Sequence, residues 1–144
     1  MVQKTISTKY KGIKSVERNW HLINLKDKTL GRISSQIAYV LQGKNKSDYS
    51  TFLDSGDYVV AINAKRIKVT GNKAKEKEYL RYSGYPGGLK VKSFKEVMEQ
   101  DARLIIKSAV SGMLPKNKLR KKRLSRLYIF PNEDHAYKEK FNLK

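Results

Sequence analysis

The sequence predicts a single-domain α/β fold with three layers, α/β/α, around a central mixed or mostly parallel sheet of about four strands. Two observations lead to this prediction. Segments rich in β-branched and aromatic residues alternate with amphipathic segments of helical period. The segment 57–63 contains the uninterrupted apolar run YVVAI, which is typical of a strand that helices cover on both faces. The length of 144 residues fits one domain.

The first strand and the first helix are predicted within residues 20–43. Residues 20–25 have strand composition, and the polar turn 26–28 ends the strand. Apolar residues then recur at helical spacing after Thr29, the expected N-cap. Gly43 stands where a left-handed residue ends a helix.

The middle of the chain predicts further strands. The apolar segment 57–63 is the second strand, and the residues TFLDSGD before it indicate a turn. Residues 67–69 alternate in polarity, and residues 78–82 have strand composition. These two segments suggest another strand or an edge hairpin.

Two helices are predicted in the C-terminal half. Ser93 and Glu96 have the spacing of a capping box at the start of the first helix. Asp101 is positioned to cap the second helix, and Gly112 with Pro115 ends it.

A short basic helix from Asn117 and a last strand at 127–130 complete the predicted domain. We therefore divide the chain into three parts by residue number. These are a basic N-terminal arm (1–19), an α/β domain (20–131) and a polar C-terminal tail (132–144).

The charge of the chain favours a polyanionic partner. Lys and Arg total 32 against 13 Asp and Glu, a formal net charge of +19. No acidic residue lies between Asp101 and Glu133, whereas seven cations fall within 116–126. An exposed helix face normally mixes both signs, so this segment favours nucleic acid over plain solvation.

Other protein classes find little support. The chain has no cysteine, hence no disulfide framework and no thiolate metal site, and the cytoplasm is the default location. No apolar run is long enough to span a bilayer, so no membrane partner is expected. The two histidines, His21 and His135, form a poor metal set, and no cofactor or metal is expected.

An enzyme is an alternative that the residues support weakly. Asp54 and Asp57 precede a buried strand, but no base or nucleophile accompanies them, and turn chemistry explains them better. The Gly87-Gly88 loop lacks both glycine-rich nucleotide-binding patterns, so no small-molecule substrate is expected. Loss of a metal-dependent RNA cleavage in Asp57→Asn would support this alternative.

The Gly87-Gly88 loop suits RNA better than a nucleotide. Arg81, Tyr85 and Lys90 surround it, and aromatic rings stack on unpaired bases while cations hold phosphates. Packing of the tyrosine on the sheet edge is an equally good interpretation.

Several blocks of the sequence resemble one known family, in family order and spacing over about residues 20–135. That family is the large-subunit ribosomal protein L-thirteen, in its bacterial or organellar form. The blocks are Trp20-His21-Leu22-Ile23, Lys28-Thr29-Leu30-Gly31-Arg32, Asp54-Ser55-Gly56-Asp57-Tyr58-Val59-Val60, Asn63-Ala64, Val69-Thr70-Gly71-Asn72-Lys73, Gly87-Gly88 and Gly112-Met113-Leu114-Pro115. Two positions differ from the family pattern, Ser111 before Gly-Met and Arg120 where a glycine is usual.

The resemblance implies a non-catalytic protein of the large subunit that binds its ribosomal RNA and is added early in assembly. Its partners would be large-subunit RNA and neighbouring ribosomal proteins, in a cytoplasmic or an organellar ribosome. Together with the charge pattern, it gives the following predicted RNA-binding residues: Lys28, Arg32, Lys44, Lys46, Lys73, Arg81, Tyr85, Gly87, Gly88, Lys90, Lys116, Lys118, Arg120, Lys121, Lys122, Arg123 and Arg126.

A non-ribosomal RNA chaperone or assembly factor is the main alternative. The amino-acid composition does not distinguish such a factor from a permanent protein of the subunit. A subunit stays with the large particle through a high-salt wash, whereas a factor is released.

Overall fold

A computed structural model describes residues 16–47 and 49–141. Residues 1–15 of the predicted N-terminal arm and 142–144 of the predicted tail lie outside the described residues. The described chain forms a parallel sheet of three strands in the order β1-β2-β5. The strands are β1 (Trp20–Asn24), β2 (Tyr58–Ile62) and β5 (Leu127–Ile129). The predicted α/β class and single domain are confirmed.

The two main helices pack on the same face of the sheet. They are α1 (Leu30–Gln42) and α3 (Phe94–Met113). Ile37 of α1 and Ile106 of α3 share one core cluster with Val59 of β2. Connections between parallel neighbouring strands are almost always right-handed. Because the chain moves from β1 to β2 to β5 in the same direction across the sheet, the helices that connect these strands lie on the same face. The prediction of helices on both faces is corrected here to one helical layer.

Aromatic side chains cover the opposite face of the sheet. Trp20 of β1 stacks on Tyr58 of β2 with ring centroids 4.5 Å apart, and on Tyr137 at 5.1 Å. Tyr137 also lies 4.5 Å from Tyr128 of β5. The segment after the last strand therefore supplies the layer that helices were expected to form. β2 is buried on both faces, as its continuous apolar sequence predicts, with Val60 fully buried beneath these rings.

The segment 78–82 pairs outside the main sheet. It forms β3 (Glu78–Tyr82), which is antiparallel to β4 (Leu89–Ser93) in a separate hairpin. Residues 67–69 contribute only one isolated bridge, between Lys68 and Thr29. The sheet consequently has three described strands instead of about four, because β3 pairs with β4, LKVKS, a segment that the predicted strands did not include.

The capping prediction for α3 is confirmed. The Ser93 hydroxyl accepts from the Glu96 N–H at 3.3 Å, and the Glu96 carboxylate accepts from the Ser93 N–H at 3.2 Å. The helix is broken at Asp101, whose backbone is not helical. Its carboxylate accepts from the Arg103 N–H at 3.0 Å, so Asp101 caps the second half of α3.

The start of α1 differs from the prediction. Thr29 holds the N-cap position, but its side chain makes no capping hydrogen bond. The Leu30 N–H instead donates to the Lys68 carbonyl at 2.8 Å, which ties the helix to the segment before α2 (Lys73–Glu76). At the other end of α1, Gly43 is left-handed with φ 78°, as expected.

The basic helix α4 (Leu119–Leu124) begins two residues after Asn117. Its Arg120 donates to the Ser111 hydroxyl at 2.8 Å and to the Ser111 carbonyl. The two positions that depart from the family pattern therefore bind each other and hold α4 against the end of α3. No described helix has the length and hydropathy needed to cross a bilayer.

Candidate nucleic-acid interface

The β3–β4 hairpin places two cations opposite each other. The antiparallel register pairs Arg81 of β3 with Lys90 of β4, and both side chains are exposed. Like charges at directly opposed positions destabilise a hairpin. Neither side chain has an ion-pair partner within 16–47 and 49–141. A polyanion would relieve this repulsion.

The tip of the hairpin exposes aromatic rings. Tyr85 is 75% exposed and Tyr82 is 64% exposed, so both rings are accessible. Gly87 has φ 72°, a left-handed conformation that the turn requires. Gly88 is half-buried beside Ser83. The tip thus exposes aromatic rings on which a base could stack, close in sequence to Arg81 and Lys90. Tyr85 does not pack on a sheet edge.

Four lysines of the acid-free segment point to solvent. Lys116 and Lys118 lie between α3 and α4, and Lys121 and Lys122 lie on α4. All four are exposed, and none is ion-paired among the residues that the structure describes. The four lysines fall within seven consecutive positions, 116–122, that contain no acidic residue.

The three arginines of the same segment point inward. Arg120 is half-buried on Ser111, and Arg123 is only 1% exposed. Arg126 donates two hydrogen bonds of 2.6 Å to the Asp54 carboxylate. Their guanidinium groups are engaged within the protein, so the prediction of Arg120, Arg123 and Arg126 as exposed contact residues is corrected. Arg120 and Arg123 are three residues apart and therefore lie on the same side of a helix. The apolar residues Leu119 and Leu124 beside them could have identified this side as the inward face.

The remaining predicted cations lie at separate places. Lys28 and Arg32 are exposed near the start of α1, whereas Lys44 is exposed just past its end. A helix of 13 residues is about 20 Å long, so these positions do not form one patch. Lys73 is exposed on the wall of an open cleft of about 620 Å³ between α1, α2 and α3.

Lys46 has a structural role. Its ammonium lies 2.5 Å from the carboxylate of Asp57, which is fully buried. His21 Nε2 and the Asn19 N–H also donate to this carboxylate, at 2.9 and 3.1 Å. Burial raises the pKa of Asp57, but the hydrogen bonds from Lys46, His21 and Asn19 outweigh it and hold the pKa below its ordinary value.

Neither aspartate of the predicted turn has a catalytic setting. Asp54 is held by Arg126 and Asp57 by Lys46 and His21, so both carboxylates are occupied. Within 16–47 and 49–141, no cluster of His, Asp and Glu could hold a metal ion. Sequence reasoning assigned Asp54 to a turn and missed its ion pair.

The fold and surface define a small basic α/β protein whose buried charges are structural and whose exposed cations mostly lack acidic partners. The comparisons with known proteins specify the family. The model of the family Ribosomal protein L13 matches residues 18–136. The chain belongs to this family, and it is a structural ribosomal protein and not an enzyme.

Curated relatives are similar to this chain over nearly its full length, and each is named large ribosomal subunit protein uL13. One from Prochlorococcus marinus subsp. pastoris is 46% identical, covering 94% of this chain and 93% of the relative. Another from Hahella chejuensis is 44% identical, covering 93% and 92%. A third from Petrotoga mobilis is 45% identical, covering 95% and 89%.

Proposed function

We propose that this chain is a structural constituent of the large ribosomal subunit that binds large-subunit ribosomal RNA and supports early assembly of the subunit. The names of its relatives support the choice of subunit. The observation that carries RNA binding is the group of four exposed, unpaired lysines at 116, 118, 121 and 122. Bacterial relatives favour a cytoplasmic ribosome, with neighbouring ribosomal proteins as further partners.

The physical mechanism is charge neutralisation by a rigid scaffold. The packed sheet and helices fix the lysine group and the hairpin before RNA is bound, so little conformational entropy is lost on binding. Each lysine that contacts a phosphate releases counterions, which drives association at low salt. Tyr85 at the hairpin tip supplies a ring for an unpaired base. Bound in this way, the chain would hold together RNA segments that otherwise repel each other.

A filter-binding titration at several salt concentrations tests RNA binding. The probe is a transcript of the large-subunit RNA, and the variant replaces Lys116, Lys118, Lys121 and Lys122 by alanine. Loss of four phosphate contacts should flatten the log–log salt dependence by about 3 units.

The control has the same loss of charge at exposed lysines outside the predicted set. It replaces Lys65, Lys95, Lys107 and Lys140 by alanine. Equal loss of affinity in both variants would show that only net charge matters and would overturn the assignment of the contact surface. Support of assembly is tested by reconstituting large subunits without the chain, where an unchanged yield of particles would contradict it.

A further inference from the structure

Two arginines of the segment around α4 meet the carboxylate of Asp54 before β2, and a third arginine, Arg18, binds the backbone beside it. Arg126 donates to both oxygens of Asp54 at 2.6 Å, and Arg123 Nε lies 3.7 Å from the same carboxylate. Arg18 donates to two carbonyl oxygens, of Asp54 at 3.0 Å and of Gly56 at 2.6 Å. Carbonyl groups carry no net charge. Two guanidinium groups therefore share one carboxylate, and the charge of Arg18 beside them has no carboxylate of its own among the described residues.

The excess positive charge is buried. Arg123 is 1% exposed and Arg126 is 7% exposed. Arg123 Nε and Nη2 and Arg126 Nε have no hydrogen-bond partner among the described residues. The neighbouring carboxylate of Asp57 already pairs with Lys46 and cannot compensate. A buried cation without a matching anion is costly, so an anion from outside would stabilise this arrangement.

An open cleft of about 420 Å³ borders this arginine group. Arg18, Lys122 and Arg126 line it together with Phe52 and with Asp54, whose carboxylate is already paired with Arg126. Phe52 is 63% exposed, so its ring is accessible to a ligand in the cleft. The volume is in the range of small-ligand sites and accommodates a phosphate with its attached ribose.

We propose that this cleft binds one backbone phosphate of RNA. The Lys122 ammonium contacts the phosphate, and the nearby charges of Arg18, Arg123 and Arg126 attract it electrostatically. The Phe52 ring packs on the adjacent nucleotide. RNA fits better than an acidic peptide because Lys122 lies next to the other unpaired lysines of the same segment. These lysines would contact further phosphates along the same RNA backbone. The inference rests on the proposed function and assigns a specific contact within it.

Adjacent lysines on α4 provide a matched test. Lys121 and Lys122 are both exposed and carry the same charge, but only Lys122 lines the cleft. With a transcript of large-subunit RNA as probe, Lys122→Ala should weaken filter binding about tenfold, and Lys121→Ala clearly less. Phe52→Ala should weaken binding without changing the salt dependence, since it removes no charge. Equal effects of the two lysine variants would overturn the proposal.

A second readout uses inorganic phosphate and the ¹⁵N-labelled chain. The backbone amides of Leu53 and Ser125, which border the cleft, should shift saturably with phosphate, and the shifts should be lost in Lys122→Ala. Shifts that do not saturate would contradict a site. Saturation by an acidic peptide but not by phosphate would overturn the choice of RNA.

The two readouts separate this inference from the proposed function. If the transcript binds but the lysine variants are equivalent and phosphate does not saturate the cleft, only the site is wrong. If the wild-type chain does not bind the transcript at all, the proposed function fails as well.

Discussion

Arg126 joins Asp54 across 72 residues of sequence through two hydrogen bonds of 2.6 Å. The pair connects the turn before β2 to the residue that precedes β5. Because β2 and β5 are neighbours in the sheet, this ion pair fixes the ends of both strands. The same contact turns the Arg126 side chain inward, whereas the lysines of α4 remain exposed.

Removal of Asp54 should destabilise the fold strongly. In Asp54→Ala, Arg123 and Arg126 would remain buried without a carboxylate, and we expect a loss of about 3–5 kcal/mol in the free energy of unfolding. Urea unfolding measures it. Asp134→Ala is the control, since Asp134 pairs with Lys138 at the surface and its loss should leave the stability almost unchanged. Similar losses in both variants would contradict the buried role of Asp54.

Two glycines should respond oppositely to alanine. A Cβ at Gly56 would lie 1.8 Å from the Leu41 carbonyl oxygen at the end of α1, so Gly56→Ala should cost at least about 2 kcal/mol. A Cβ at Gly112 in α3 would meet nothing within 4 Å, and Gly112→Ala should stabilise the fold by about 0.5–1 kcal/mol. Thermal unfolding checks both signs. A neutral Gly56→Ala would refute the close packing of the turn on α1.

Asp57 should make the fold sensitive to acid. The pKa of its carboxyl is below the ordinary value of 3.8 in the folded chain, because hydrogen bonds outweigh the effect of burial. Its contribution to stability is therefore present above about pH 4 and is lost as the pH falls through the lower folded pKa. Urea unfolding between about pH 2 and 6 should show a shallower acid limb for Asp57→Asn than for the wild type. Parallel curves would contradict this assignment.

Replacing Lys90 should separate stability from binding. Lys90→Thr removes the repulsion from Arg81 and places a β-branched residue in β4, so the stability should rise by a few tenths of a kcal/mol. The affinity for large-subunit RNA should fall, because Lys90 is one of the proposed phosphate contacts. Thermal unfolding and filter binding measure the two effects. A gain in affinity, or a loss in stability, would count against this role of the hairpin.

Local signals predicted much of the fold. The capping box of Ser93 and Glu96, the break at Asp101 and the left-handed Gly43 depend on neighbouring residues, and the sequence shows them directly. The hairpin partner β4, LKVKS, has the apolar–polar alternation of a strand, but its lysines led us to overlook it, and its pairing with β3 is seen only in the fold. The covering of the sheet by Tyr137 likewise depends on a segment with no strand or helix pattern.

The sequence predicted that the candidate interface is basic, but it did not predict which of its side chains are exposed. Composition identifies the segment 116–126 as basic, but exposure depends on which side of α4 faces the body of the protein. Arg123 is buried and Lys122 is exposed although they are adjacent, because the helix turns by about 100° per residue. The carboxylate that receives Arg126 lies 72 residues away, beyond any local pattern.

Protein–RNA crosslinking within isolated large subunits tests the central claim most directly. Ultraviolet irradiation followed by mass spectrometry identifies the peptides of this chain that carry RNA adducts. We expect adducts in the hairpin peptide that contains Tyr85 and in the segment 116–122, and none on the aromatic face around Tyr137. Absence of the chain from the subunits, or adducts confined to the aromatic face, would contradict the account.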